Sequence, residues 1–384
     1  MKRNYKTEID PSPEQILKIH KTIDTCNYVY NFYIQKSEEM YRTEYIFLSG
    51  YKFSVWLNNE YLPEHPELLW IKEVSSKSVK QSINYAYKTY SKFINNEIPN
   101  CRLKDSKEGK MYFVKTDNKA VIWCERHRIK VPTLGWVKLK EKGYIPTSDS
   151  GNLISSGTVS YEAGRYYISA TIETNDSKKI TKATTEGLGI DLGVINLVTL
   201  SNGMTFKNIN KNTKITRIKK QKLKQERKLS NKYCKEKKGK AAKKNIEKQK
   251  LKVQKTYANI NNIKKDYVNK IVSAIVNMNP KYITIENLNV AGMLKNEYLK
   301  KQIYPQGFKN FVRKLKLKCA QNDIELRMVD RFYPSSRICH NCGRIKKDLK
   351  LSDRVYKCEC GYSNDRDINA SLNLRDAKVY KIIT

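Results

Sequence analysis

A multidomain α+β chain is the fold class the sequence predicts, and three observations predict it. Apolar residues recur at helical spacing over residues 10–97. The period falls to two from about residue 110. From residue 188 onward, helical stretches alternate with short apolar strands. With 384 residues there is room for two or three domains, and 39 % hydrophobic content is enough to give them real cores.

The elements follow in order. "MKRNYKTEI" reads as a short strand, and "DPSPEQ" as a helix start. Ser12 can cap, Pro13 fits the first helical position, and Gln15 stands where a capping box needs it. Ile16, Ile19, Ile23, Cys26, Tyr30 and Tyr33 then make an apolar stripe. A second helix begins near Ser76, with Val79, Ile83, Tyr87, Tyr90 and Ile94 on one face. "MYFVK", "AVIWC", "RIKVP", "WVKLK", "GTVSYE" and "RYYISATIE" are short strands separated by turn residues, as in a small barrel or sandwich; the last two form a hairpin turning near Ala163–Gly164.

Residues 177–187 are polar and read as a linker. "LGIDLGVINLVTLSNG" is a strand, a tight turn at Gly193 and a second strand. Residues 208–257 are Lys-rich with no Pro, a long basic helical excursion. An amphipathic helix with Ile260, Ile263, Tyr267, Ile271, Ile275 and Met278 follows, stopping at Pro280. "KYITIEN" is a strand ending in Glu286. A helix with Phe308, Phe311, Leu315 and Cys319 leads to the strand "IELRMVD". No internal repeat is visible.

Charge narrows the partners. Lys and Arg number 75 against 38 Asp and Glu, a formal net charge of +37. Self-repulsion on that scale calls for a polyanion, and nucleic acid is the obvious one. In the excursion, "IKKQKLKQERKL" offers Lys219, Lys220, Lys222, Lys224, Arg227 and Lys228 as phosphate contacts, on a helix that otherwise is simply a solvated face. The 26 tyrosines can stack on unpaired bases, although most fit a helical core. Nine cysteines, no signal peptide and no membrane-spanning apolar run point to a reducing cytosol, with Cys26, Cys101, Cys124, Cys234 and Cys319 as buried or unpaired thiols.

Two clusters carry chemistry. Asp191 lies between Ile190 and Leu192 in an apolar strand, Glu286 ends another, and Asp367 precedes the helix-like "INASLNL". A carboxylate in an apolar strand is costly unless a cation faces it, either a lysine or a metal ion. Three such acids converging on one sheet edge can hold divalent cations for phosphodiester cleavage. The second cluster is Cys339 and Cys342 (C-x-x-C, then Gly343) with Cys358 and Cys360 (C-x-C, then Gly361). Two pairs across a short basic loop read as a zinc ribbon, structural because four thiolates leave no open position. His340, inside the first knuckle, is an alternative ligand, and disulfides are the competing reading.

"GIDLGVINLVTLSNG", "ITIENLNVAGM" and "NDRDINASLNL" resemble the three motifs of the RuvC-like nuclease fold in the TnpB family. These are transposon-associated RNA-guided endonucleases related to type V CRISPR effectors. "YKTEIDPSPEQILKIHKTIDTCNYVYNFYI" and "VPTLGWVKLKEKGYIP" resemble the family's opening and middle segments, so the resemblance spans nearly the whole chain. It implies a wedge-like β-barrel with an inserted helical recognition domain, and an RNase H-like (RuvC) α/β nuclease domain interrupted by a zinc ribbon. The boundaries that follow are 1–9 for the first barrel strand, 10–105 for the helical domain and 106–180 for the rest of the barrel. The nuclease domain takes 181–338, with the excursion 208–257; the ribbon takes 339–362, and 363–384 completes the nuclease domain.

Asp191, Glu286 and Asp367 match the family's metal-binding acids, so the resemblance implies Mg²⁺ or Mn²⁺ there and Zn²⁺ on the four cysteines. It further implies a guide RNA derived from the transposon end, a double-stranded DNA target beside a short adjacent motif, and a role in transposon maintenance. A monomer in the prokaryotic cytosol or nucleoid, with no membrane partner, is expected. A nuclease-inactive RNA-guided regulator and a domesticated CRISPR-like effector are the alternatives.

Overall fold

A computed structural model describes residues 2–45, 47–104, 109–114, 122–173, 186–237, 239, 242–293, 295, 307–350 and 353–383. The chain divides into two compact units, Met1–Asp176 and Ser177–Thr384.

The first unit begins with β1 (Lys2–Asp10) and the 32-residue α1 (Pro13–Glu44). The capping box forms: the Gln15 amide donates to Ser12 Oγ at 3.3 Å, and the Ser12 amide to Gln15 Oε1 at 3.0 Å. Gln15 Nε2 also donates to the carbonyls of Leu134 and Trp136, tying the helix start to the strands. A chain of short turns follows that periodicity did not reveal. These are α2 (Gly50–Trp56), a π-helical turn (Leu57–Tyr61), α3 (Leu62–Glu64) and a 3₁₀ segment (Pro66–Glu73). Pro63 and Pro66 cut the run into pieces too short to show a helical stripe. Then comes α4 (Ser76–Ile94), which with α1 and α2 encloses Val29, Tyr33, Phe53, Leu57, Ile83 and Tyr90.

Six more strands complete this unit: β2 (Lys110–Val114), β3 (Trp123–Cys124), β4 (Arg128–Val131), β5 (Gly135–Leu139), β6 (Leu153–Glu162) and β7 (Arg165–Glu173). They form one antiparallel sheet in the order β2-β6-β7-β1-β5-β4-β3 over a core that includes Ile129, Val137, Val159 and Ile168. The β6–β7 hairpin turns where expected. Ala163 and Gly164 both have positive φ, 51° and 82°, the pair of left-handed residues that matches strand twist in a tight hairpin. The wedge-like barrel is not found as a closed one: among the described residues the sheet is open, with β2 and β3 at its ends. Closure needs a ladder between end strands, and two-residue β3 pairs only with β4. Residues 120 and 121 of the strand expected over 120–124, and most of the linker expected over 177–187, lie outside the described residues.

The second unit starts with β8 (Leu188–Asp191), β9 (Asn196–Leu200) and β10 (Thr205–Lys207). Two long helices follow, α5 (Thr213–Lys237) and α6 (Lys243–Asn277). The basic excursion and the amphipathic helix expected after it are thus not separate. The 35-residue α6 runs through both, because Ile246 and Val253 already extend the buried stripe back towards its start. Gln249 Nε2 donates to the Gln225 carbonyl at 3.0 Å, and Tyr257 Oη to Glu226 Oε1 at 2.7 Å, zipping α5 against α6. Next are β11 (Tyr282–Ile285), α7 (Val290–Met293), α8 (Phe308–Asn322) and β12 (Glu325–Met328). The chain ends with β13 (Val355–Lys357), β14 (Ser363–Asp365), α9 (Arg366–Arg375) and β15 (Lys381–Ile382).

The sheet order is β10-β9-β8-β11-β12-β15. The centre, β8-β11-β12, is parallel, and the flanking pairs are antiparallel. Ile190, Val198, Ile283, Leu326, Ile271, Phe311 and Leu315 form the core between sheet and helices. No helix among the described residues is long and apolar enough to cross a membrane.

Candidate active site and metal centre

Register brings the first two acids together. Ile190 of β8 pairs in parallel with Ile285 of β11. Asp191 and Glu286 are the next residue of each strand, so both emerge at the carboxyl ends of neighbouring parallel strands. In open α/β sheets that edge is where ligands sit. Glu286 Oε1 accepts a 3.0 Å hydrogen bond from the Leu192 backbone N–H, which fixes one oxygen against β8.

Asp367 arrives from the far end of the sequence. It is the second residue of α9, and α9 packs on β8 through Gly189. A Cβ at Gly189 would stand 1.8 Å from the Ser371 carbonyl oxygen, so only glycine lets the helix backbone come this close. Asp365 caps α9, accepting from the amides of Asp367 at 2.9 Å and Ile368 at 3.1 Å. Asp365 was not among the residues singled out in the sequence. Its signal is a local one, an acid immediately ahead of a helical run.

The three acids crowd one another electrostatically. Burial first, then Glu286 and Asp367, hold the Asp191 carboxyl well above its ordinary range. Burial pushes Glu286 up to about 7; the Leu192 amide opposes this and Asp367 adds to it. Asp367 is raised by burial and by Asp365, and lowered by Arg354 and Arg366. All three keep a partly exposed edge. Among the described residues none of the three forms a salt bridge, although the charges of Arg354 and Arg366 reach Asp367. Crowded carboxylates with open edges are the kind of oxygen-ligand set that hard divalent cations take.

The cysteines converge as well. One sulfur from each of Cys339, Cys342, Cys358 and Cys360 lies within 4.8 Å of all the others. Cys339 Sγ is 3.6 Å from Cys360 Sγ, and Cys342 Sγ is 3.7 Å from Cys358 Sγ. A tetrahedral zinc with sulfurs at about 2.3 Å has S···S edges of about 3.8 Å, so the donor set and spacing fit that ion. Neither distance is a disulfide.

The short C-x-C spacing has a geometric explanation. In the first knuckle the Cys339 amide donates to the Arg344 carbonyl at 2.9 Å. In the second the Cys358 amide donates to Tyr362, one residue nearer, also at 2.9 Å. Gly343 and Gly361 both follow the second cysteine with φ of 74° and 87°. The second knuckle is the first with one residue removed. The Tyr362 backbone amide, more than any other contact, draws the Cys360 thiol down to about 6, while burial pushes Cys339 up to about 12. His340 is not part of the cluster: its Nε2 lies 3.7 Å from Asp376 Oδ2.

The cluster is bolted to α9. Asn369 and Asn373 donate to the Ile338 carbonyl at 2.8 and 2.7 Å, Asn373 also donates to the Ser335 carbonyl at 2.8 Å, and the His340 amide donates to Asn369 at 3.2 Å. These buried asparagines were invisible as linkers in the sequence, where they read as ordinary polar positions of a helix. Of the remaining cysteines, Cys26, Cys124 and Cys319 are buried, Cys101 is half-buried and Cys234 is exposed, all as free thiols.

The basic candidates all lie on α5, in two groups. Lys220, Lys224, Arg227 and Lys228 are exposed. Lys222 instead lies 4.1 Å over the Tyr257 ring and 3.6 Å from Glu226, and Lys219 donates to Asn210 at 3.3 Å. Those two are engaged within the unit.

Comparison with known proteins follows the same order along the chain. Residues 1–44 match a family described as "Helix-turn-helix domain", although they fold here as β1 and α1. Residues 168–297 match one described as "Probable transposase", and residues 308–374 the "Cas12f1-like, TNB domain". A Streptomyces pristinaespiralis protein named "Putative RNA-guided DNA endonuclease" is 29 % identical over 97 % of this chain and 89 % of its own. "Putative RNA-guided DNA endonuclease InsQ" of Escherichia coli K12 is 27 % identical over 96 % of this chain and 90 % of its own. A solved Cas12f1–sgRNA–target DNA complex is similar with a TM-score of 0.61 at 14 % identity, covering 96 % of this chain and 83 % of that one, which is a likeness of fold. The motif order, the three consecutive family matches and the full-length relatives all agree with a likeness to the TnpB family.

Proposed function

We propose that this protein is an RNA-guided, divalent-metal-dependent DNA endonuclease of TnpB type. The observation that carries the reading is the group of three acids, Asp191, Glu286 and Asp367, at the carboxyl edge of the parallel strands, with no salt bridge to any of them among the described residues. The names of the relatives from Streptomyces pristinaespiralis and Escherichia coli support the same activity. The Cas12f1 complex supports guide RNA and target DNA as partners.

On this reading β8–β10, β11, β12 and α9 form an RNase H-like (RuvC) domain, and the Cys339–Cys360 cluster is its zinc ribbon. The seven-stranded sheet is the wedge domain, with α1–α4 inserted into it as the recognition domain. Asp191, Glu286 and Asp367 would hold Mg²⁺ or Mn²⁺. When bound, such an ion lowers the pKa of water and stabilises the leaving oxygen of the phosphodiester. The chain's own residues set the geometry. Leu192 N–H orients Glu286, the Asp365 cap fixes the start of α9, and the ribbon anchors the same helix through Ile338. Lys220, Lys224, Arg227 and Lys228 lie on an exposed helix face suited to backbone phosphates. Base pairing with the guide reads the target, and the protein reads a short adjacent motif and duplex shape. The protein works as a monomer in the prokaryotic cytosol or nucleoid, in transposon maintenance.

The test is cleavage of matched duplex DNA by protein co-expressed with its transposon-end RNA. Wild type cuts only with a divalent metal, and Asp191→Ala binds RNA but does not cut. A wild type that binds guide and target yet cuts under no metal is instead an RNA-guided regulator.

A further inference from the structure

One side chain at the acid edge has no structural use. Phe332 is 85 % exposed, more than any other large apolar residue among the described ones. An exposed phenylalanine is often a mobile tip, but this one is held on both sides. Val329 is buried and Tyr333 packs beside it, both against Leu374 of α9. The Val329 amide donates to the Ile285 carbonyl at 3.1 Å, and Tyr333 Oη donates to the Asn373 carbonyl at 3.0 Å. The Phe332 amide itself donates to Asp330 Oδ1 at 2.8 Å, an Asx turn, and the Tyr333 amide to the Asp330 carbonyl at 3.2 Å. The ring therefore stands out from a turn braced on each flank.

Its place in the fold is specific. Met328 of β12 pairs in parallel with Ile285, which pairs with Ile190. The three strands end level, and the turn at 330–333 leaves the same sheet edge that carries Asp191 and Glu286. Arg331, the preceding residue, and Arg337, five residues on, are also exposed. An aromatic face in a basic stretch of chain is how proteins hold an unpaired base and its phosphate. Paired bases in a duplex have no free face to offer.

We propose that Phe332 is a positioning residue: it stacks on an unpaired base of the DNA strand being cut and sets that strand's path to Asp191, Glu286 and Asp367. This rests on the endonuclease reading, and the experiment separates the two. Guide-loaded protein is mixed in EDTA with matched DNA whose displaced strand carries 5-iododeoxyuridine, irradiated, digested and analysed by mass spectrometry. The expected cross-link maps to Phe332 and is lost in Phe332→Leu. Cross-links on other residues only, with the DNA bound, overturn the proposal whether or not the protein cuts.

With metal, Phe332→Ala and Phe332→Leu should cut about ten-fold or more slowly, the factor for one lost base–aromatic stack. Phe332→Trp should restore the rate, and guide-RNA binding and thermal stability should not change. If wild type cuts and Phe332→Leu cuts equally fast, the stacking role is refuted while the nuclease stands. If wild type does not cut but the cross-link forms at Phe332, the nuclease reading fails and the DNA contact stands.

Discussion

Replacing Glu286 by Gln isolates what the acid cluster costs the metal-free protein. The glutamine keeps an oxygen to accept the Leu192 N–H and removes the charge. Burial and Asp367 raise the Glu286 carboxyl from 4.5 to about 7. At about 1.4 kcal/mol per unit the upper bound on that cost is about 3 kcal/mol. Water at the exposed edge and the coupling among the acids reduce it to about 1–2 kcal/mol. The sign follows from proton binding. Between pH 4.5 and about 7 the folded state holds a proton that the unfolded chain has lost, so stability falls as pH rises through that window. Above it the full cost is present in wild type and absent in Glu286→Gln. Thermal unfolding in EDTA should therefore show the two proteins alike near pH 4.5. At pH 8 the variant should lead by about 2–8 °C for a unit of this size. Added Mg²⁺ should raise the wild-type transition at pH 8 and the variant's by much less, since a ligand that binds only the folded state stabilises it. A difference that stays constant from pH 4.5 to 8, with no Mg²⁺ response in wild type, would refute the reasoning.

Two further outcomes follow from how α9 is held. Gly189→Ala should lower stability by about 2 kcal/mol or more by denaturant titration, because the new Cβ meets the Ser371 carbonyl oxygen. It should also reduce cleavage while leaving guide-RNA affinity intact; a variant that melts and cuts as wild type would show that α9 does not need this approach. Wild type should contain a single zinc by elemental mass spectrometry, and Cys360→Ser should lose most of it. Because Ile338 tethers Asn369 and Asn373, removing the zinc should weaken cutting before it weakens RNA binding. Equal zinc content in wild type and Cys360→Ser would exclude the four-thiolate site.

Much of this molecule was legible in the chain itself, because the signals are local. The Ser12–Gln15 capping box, the Ala163–Gly164 turn, the apolar stripes of α1 and α4 and the strands ending at Asp191 and Glu286 depend on neighbours a few residues away. So does the pairing of each C-x-x-C or C-x-C with its glycine. Periodicity failed where pieces were too short, as in α2 and α3, and where one helix changed partners along its length, as in α6. The wedge-like barrel is inferred from likeness; among the described residues its strands form an open sheet, and whether end strands pair is a long-range matter that no local pattern dictates. Tertiary structure alone decided that Asp191 and Glu286 sit level on adjacent parallel strands. It also made Gly189 the contact that admits α9, and Asn369 and Asn373 the tie between α9 and the four cysteines. It left Phe332 exposed on a braced turn at the same edge. The physical reason is common to all of these: a sequence records which side chains can bury, cap or ligate, but the distance between groups far apart along the chain is set only when sheet register and helix packing close it.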